Sequence, residues 1–136
     1  MGDRTFDVVV IGAGPAGEVL AGRVADRGHA TAIVESRLVG GECSFYACMP
    51  SKALLRPGEL RDEARRVAGV REAMTGELDV QAVLARRDEV IHELDDSAQL
   101  PWLRERGITL VLGHGTLAGE RLVQVGDERL RARRAV

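Results

Sequence analysis

Lysine is nearly absent from this chain: of its nineteen basic residues eighteen are arginine, and the only lysine is Lys52. A compact ammonium is not interchangeable with a planar guanidinium, so a chain that otherwise uses arginine marks Lys52 as a position to explain. Long apolar runs are missing too. The longest near the N-terminus, Val8 to Ile11, follows Asp3 and Asp7 and runs into a glycine-rich turn, so neither a signal peptide nor a membrane span is expected. A cytoplasmic protein is the default that follows. There is no excess of charge of one sign: nineteen basic against twenty-one acidic residues leave a formal net charge of -2, which gives no support for nucleic-acid or anionic-membrane partners. Cysteine is limited to Cys43 and Cys48. In a reducing compartment a lone pair fits a catalytic, redox or metal role better than a structural staple. The three histidines, His29, His92 and His114, are scattered with no ligand spacing relative to that pair, so no metal site is expected.

What is present is ordinary globular composition, 45% hydrophobic and 29% charged over 136 residues, enough to bury the core of one domain. Phe6 to Ile11 is almost wholly β-branched and apolar, the pattern of a strand buried in a parallel sheet. A helix carrying Val19, Leu20 and Val24 follows, stopped by Gly28, and a second buried strand spans Ala30 to Val34. A loop from Ser36 to Cys43 leads into a helix beginning between Cys48 and Ser51, charged over Glu59 to Val67. A further helix starts with Asp79 as N-cap, carries Val80, Val83, Leu84, Ile91, Leu94 and Ala98 at helical period, and ends at Pro101. The two helices form a hairpin, and Trp102 is expected to pack its end. His92 falls off the apolar stripe and His29 sits in a turn, so both are expected at the surface. Ile108 to Leu112, Gly115 to Leu117, Leu122 to Val125 and Arg129 to Arg131 read as short strands of a β-meander, with Arg133 to Val136 opening another.

Gly12-x-Gly14-x-x-Gly17 lies between the first strand and the first helix, the context a dinucleotide fingerprint requires. Gly12 permits the tight turn, Gly14 lets the backbone approach a pyrophosphate, and Gly17 allows helix and strand to pack closely. The helix that opens with Pro15 and Ala16, both candidate cofactor contacts, then offers the free N–H groups that follow the proline and a favourable dipole to the phosphates. Glu35, at the end of the second strand, is placed to accept hydrogen bonds from ribose hydroxyls. This arrangement does not choose between NAD and FAD.

Cys43 and Cys48 are five residues apart. On one regular helix their Cα atoms would be roughly 8.6 Å apart, beyond the limit of about 6.8 Å for a disulfide. Cys43 is therefore expected in a turn ahead of the helix and Cys48 at the helix start, where the dipole favours a thiolate. A bridge over so short a loop constrains the unfolded chain only modestly, so redox chemistry explains the pair better than stapling. Lys52, one helical turn past Cys48, shares its face.

Gly40-Gly41-Glu42-Cys43, four intervening residues, then Cys48-Met49-Pro50-Ser51-Lys52 resembles the cysteine motif of the pyridine nucleotide-disulfide oxidoreductases, the family of dihydrolipoamide dehydrogenase, glutathione reductase and mercuric reductase. The resemblance covers the whole chain. It implies an α/β fold: a Rossmann-like FAD-binding domain with a parallel sheet, an inserted helical hairpin and a β-meander, incomplete over residues 1–136, with the NAD(P)-binding and dimerisation domains outside it. It also implies electron flow from NAD(P)H through FAD to a Cys43–Cys48 disulfide and on to a small-molecule disulfide or related substrate, in a homodimer whose acid-base pair this chain lacks. The chain is therefore expected not to turn over NAD(P)H alone. In that scheme Cys43 attacks substrate, Cys48 faces the flavin, Lys52 sits near its reactive nitrogen, and His114 and Gly115 meet the adenine. Ser36, Arg37, Gly40, Gly41 and Glu42 complete the implied cofactor contacts. Glu42 and Ser44-Phe45-Tyr46-Ala47 depart from the threonine and Asn-Val-Gly common in the family, which alters the surface beside the pair. A noncatalytic FAD-binding module, and a flavin-dependent quinone or metal-ion reductase without thiol exchange, are the alternatives.

Overall fold

The structure is a computed structural model that describes residues 3–135. The apolar run near the N-terminus forms β1 (Arg4–Ile11), the glycine turn opens α1 (Pro15–Ala25), and β2 (Thr31–Glu35) returns parallel to β1 with Val8 opposite Thr31 and Ile11 opposite Val34. β2 is buried at all five positions, its apolar centre Ala32-Ile33-Val34 flanked by the buried polar side chains of Thr31 and Glu35, as suits an interior strand. The helical excursion then comprises α2 (Gly41–Phe45), α3 (Cys48–Arg65), α4 (Val70–Ala73), α5 (Val80–Val90), two short 3-10 turns at His92–Leu94 and Ser97–Gln99, and α6 (Leu100–Glu105). The chain re-enters the sheet as β3 (Thr109–Leu112), beside β2 and parallel to it, and closes with β4 (Gly115–Gly119), β5 (Leu122–Val125) and β6 (Glu128–Ala135).

One sheet carries all six strands in the order β3-β2-β1-β6-β5-β4. β6 serves two pairings. Residues 128–131 run antiparallel to β5, completing the meander, and the strand from Leu130 onward runs parallel to β1, with Leu130 opposite Arg4 and Arg134 opposite Val8. The expected break between Arg129–Arg131 and a new strand at Arg133 is therefore absent, because both stretches belong to one strand; Val136 lies outside the described residues. Each sheet face has its own core. Val9, Val34, Val111, Val123, Val125 and Leu130 pack on one side, where the meander folds over the parallel strands. On the other, Val10, Ala21, Ile33, Val39, Leu103 and Ile108 pack beneath α1 and α6.

The second hairpin helix departs most from expectation. Asp79 does cap it, accepting the Ala82 N–H at 3.0 Å, but α5 ends at Val90 instead of continuing toward Pro101. His92, Glu93 and Leu94 take φ of 51°, 52° and 66°, a left-handed run that no right-handed helix passes through and that costs about 1–2 kcal/mol per residue. What holds it is tertiary: just beyond the turn, the Asp96 carboxylate accepts the Val39 N–H at 2.8 Å. Pro101 begins α6 instead of ending α5, in the first helical turn where its missing N–H is not needed. Of the expected stripe only Ile91 is buried, and Val80 and Leu94 are exposed. Trp102 packs against α1, not the hairpin: a Cβ on Gly22 would stand 3.7 Å from its ring, and the Arg106 guanidinium lies 5.2 Å from the ring centre. α4, with no marked sequence signal, turns the chain between α3 and α5. His29 and His92 are exposed, as expected.

Candidate functional site

The glycine turn is built by close backbone contacts. Gly12 has φ of 101° and donates its N–H to the Val34 carbonyl at 2.7 Å, tying the turn to the end of β2. A Cβ on Gly17 would sit 1.9 Å from the Gly12 carbonyl oxygen, so α1 reaches the sheet only because that atom is missing. Gly14 precedes α1 with extended backbone, and a Cβ there would meet nothing within 4 Å. The first backbone bond of α1 runs from the Glu18 N–H to the Gly14 carbonyl at 2.9 Å. The amides of Ala16 and Gly17 are thus left at the helix mouth, and Pro15 has none to offer.

Glu35 is 8% exposed, and its carboxylate spans two backbone segments: one oxygen accepts the Ala13 N–H and the other the Arg37 N–H, both at 2.8 Å. The side chain expected to meet a ribose therefore also shapes the turn that would hold the phosphates. Each oxygen keeps a lone pair after these bonds.

A second glycine pair locks onto the first. The Gly40 N–H donates to the Ala13 carbonyl at 2.7 Å, and a Cβ on Gly41 would stand 2.6 Å from the Gly14 Cα. Both glycines have positive φ, 111° and 62°. This contact presses α2 against the dinucleotide turn and brings Cys43 with it. Cys43 lies within α2, not in the open turn expected, but Tyr46 and Ala47 break the helix before α3 starts at Cys48, so the pair does sit on two helices.

Both cysteines are free thiols, Cys43 half-buried and Cys48 exposed. The hydrogen bond between the two side chains is the main cause that raises the Cys43 pKa above the ordinary thiol value. Desolvation and repulsion by Cys48 add to it, and the Lys52 ammonium opposes them. Lys52 thus acts on Cys43 electrostatically from one turn along α3.

A cleft of about 420 Å³ joins these parts. Gly12, Gly14 and Pro15 form one wall, Glu35, Ser36 and Arg37 another, and Gly41, Glu42, Cys43 and Cys48 a third. Ala16, Gly17, Gly40 and Lys52 are not among the residues that line it. His114 is exposed and Gly115 half-buried in the turn after β3. That turn is held beside the cleft by the Gly113 N–H on the Glu35 carbonyl at 2.8 Å, and by Gly115, whose Cβ would meet Val34 and Ile11. Leu38, Tyr46 and Ala47 also line the cleft and were not among the expected site residues. Tyr46 and Ala47 were marked in the sequence only as departures from the family motif beside the pair, and Leu38 only by its position between Glu35 and Cys48, because the loop's closure depends on the glycine lock. Arg37 forms an ion pair with Glu42, and its guanidinium lies 4.7 Å from the Tyr46 ring centre.

The described residues hold no cluster of three or more metal-ligating side chains, and no helix among them is long and apolar enough to cross a membrane. Residues 6–136 match the family described as pyridine nucleotide-disulphide oxidoreductase. The chain is 36% identical over 127 residues to a dihydrolipoyl dehydrogenase of Chlamydia muridarum, covering 93% of this chain and 27% of that protein. It is 27% identical over 130 residues to a mercuric reductase of Staphylococcus aureus, covering 94% and 24%. The flavoprotein disulfide reductase RclA of Escherichia coli, solved as a Cu(II) complex, superposes with a TM-score of 0.76 at 21% identity over 99% of this chain and 28% of that one. The chain spans about a quarter of the length of the relatives it matches.

Proposed function

We propose, for a chain that belongs to the pyridine nucleotide-disulphide oxidoreductases, that it is the FAD-binding part of a flavoprotein that passes electrons from NAD(P)H to a small-molecule disulfide through Cys43 and Cys48. One observation carries this reading: a single cleft is lined by the dinucleotide turn, by Glu35 and by both cysteines. The residues fit an FAD. Gly14 leaves open space where a phosphate must approach the backbone, and the amides of Ala16 and Gly17 sit at the mouth of an eleven-residue helix. Glu35 retains acceptor capacity for ribose hydroxyls, while Ser36, Arg37 and the His114–Gly115 turn flank the same end. When bound, FAD supplies the two-electron store between the nicotinamide and the cysteine pair.

The chain's own part in the reaction is thiol–disulfide exchange. One cysteine thiolate attacks a sulfur of the substrate disulfide and releases the first product thiol. The other attacks the resulting mixed disulfide, releases the second thiol and closes the Cys43–Cys48 bridge. Two electrons and two protons leave the pair and appear in the two product thiols. The motif gives the attack to Cys43, whereas exposure alone would give it to Cys48, so the two serine variants are the test of roles. The NAD(P)H site, the dimer contact and the acid-base pair belong, in this reading, to parts of a longer protein that this chain does not span.

Reconstitution with FAD, followed by absorption under anaerobic reduction, tests the proposal. The chain should take up FAD and, with the pair reduced, develop a long-wavelength shoulder that Cys48→Ser abolishes. A chain that takes up no FAD refutes the reading. Thiol exchange that survives in Cys43→Ser reassigns the attack.

A further inference from the structure

Three charged side chains line the cleft: Glu35, Arg37 and Glu42. Both oxygens of Glu35 are engaged by backbone amides. Arg37 is therefore the one lining cation among the described residues, and it is paired with Glu42. A dinucleotide brings a diphosphate into this space. The anion meets a carboxylate that repels it and a guanidinium whose charge that carboxylate already offsets. The Arg37 and Glu42 side chains are 56% and 62% exposed, so the pair gains little from its own attraction and exchanges readily. Tyr46 matters here, because the guanidinium stacked on its ring stays at the cleft wall when Glu42 releases it.

Resting on the dinucleotide reading above, we propose that Glu42 sets the affinity of this cleft for a diphosphate. By holding Arg37 and placing its own charge beside the phosphates, it keeps binding weaker than the fold allows. The effect is confined to ligands that carry phosphate. It also falls with salt, because both side chains are open to solvent.

The test is calorimetric titration of the chain with adenosine diphosphate and with adenosine, for wild type, Glu42→Gln, Arg37→Gln and the double variant. Glu42→Gln removes the charge while keeping the side chain's length, and the Glu42 carbonyl, which accepts the Tyr46 and Ala47 amides, is untouched. Glu42→Gln should bind the diphosphate roughly five- to tenfold more tightly at low ionic strength, with adenosine unchanged and the gain shrinking as salt is added. Arg37→Gln should weaken the diphosphate severalfold, and the double variant should return close to wild type. Glu42→Thr, which also removes the charge, guards against an effect peculiar to glutamine and should change affinity in the same direction. Equal diphosphate affinity in wild type and Glu42→Gln overturns the proposal, as does an equal gain for adenosine. Failure of wild type and every variant to bind either ligand overturns the dinucleotide reading, and this inference with it.

Discussion

Replacing Gly17 by alanine isolates the contact that seats α1 on the sheet. The new Cβ would lie 1.9 Å from the Gly12 carbonyl oxygen and 3.1 Å from its carbon, so the helix or the turn must give by about 1 Å. The obstacle is backbone, which cannot swing aside like a side chain. Overpacking of this kind costs about 1–3 kcal/mol, and displacing Gly12 strains its hydrogen bond to Val34, worth about 1 kcal/mol. Against this, alanine is favoured over glycine within a helix by about 0.5–1 kcal/mol. The net expectation is a loss of roughly 1–3.5 kcal/mol, which lowers the urea midpoint by about 0.5–2 M for a domain of this size. Gly14→Ala is the internal control. Its Cβ meets nothing within 4 Å and its φ is -79°, so stability should stay within about 0.5 kcal/mol of wild type while FAD uptake weakens. A Gly17→Ala chain as stable as wild type would refute the reasoning, since helix propensity would then outweigh a contact the geometry calls forbidden.

Further outcomes follow from the same structure. Glu35→Ala strips one buried and one part-buried amide of their acceptor and should cost about 1–3 kcal/mol in chemical denaturation, with Glu35→Gln intermediate because one oxygen survives; a Glu35→Gln chain as stable as wild type contradicts this. Cys43 alkylation, followed by peptide mass spectrometry across pH, should rise at higher pH than for an ordinary thiol, since the raised pKa means fewer thiolates at a given pH. Cys48→Ala removes the main raising cause and should move that profile to lower pH, whereas Lys52→Gln removes the lowering one and should move it higher; an unmoved profile in Cys48→Ala sinks the assignment.

The β-α-β unit was legible because its signals are local. A buried strand is apolar without a break, and a turn that needs φ of 101° at Gly12 selects glycine wherever the rest of the chain lies. Asp79 was legible for the same reason, since an N-cap satisfies an amide three residues away. The helix after it was not. Its apolar period continues past Ile91, yet the chain turns left-handed at His92, and the Asp96 carboxylate just beyond is committed to Val39 from a distant part of the sequence. Pro101 misled because the same missing N–H ends one helix and suits the start of another.

By itself the sequence determined the residue types of the site and their order: three glycines, an acid, a second glycine pair, two cysteines and a lysine. Only the tertiary structure decided that Gly12, Gly14, Glu35, Gly41 and both cysteines line one cleft, with Gly17, Gly40 and Lys52 outside its lining. Gly41 rests against Gly14, Glu35 holds the amides on either side, and Arg37 turns to Glu42 and Tyr46. Such contacts join residues up to about thirty positions apart through backbone shape, which no short-range pattern encodes.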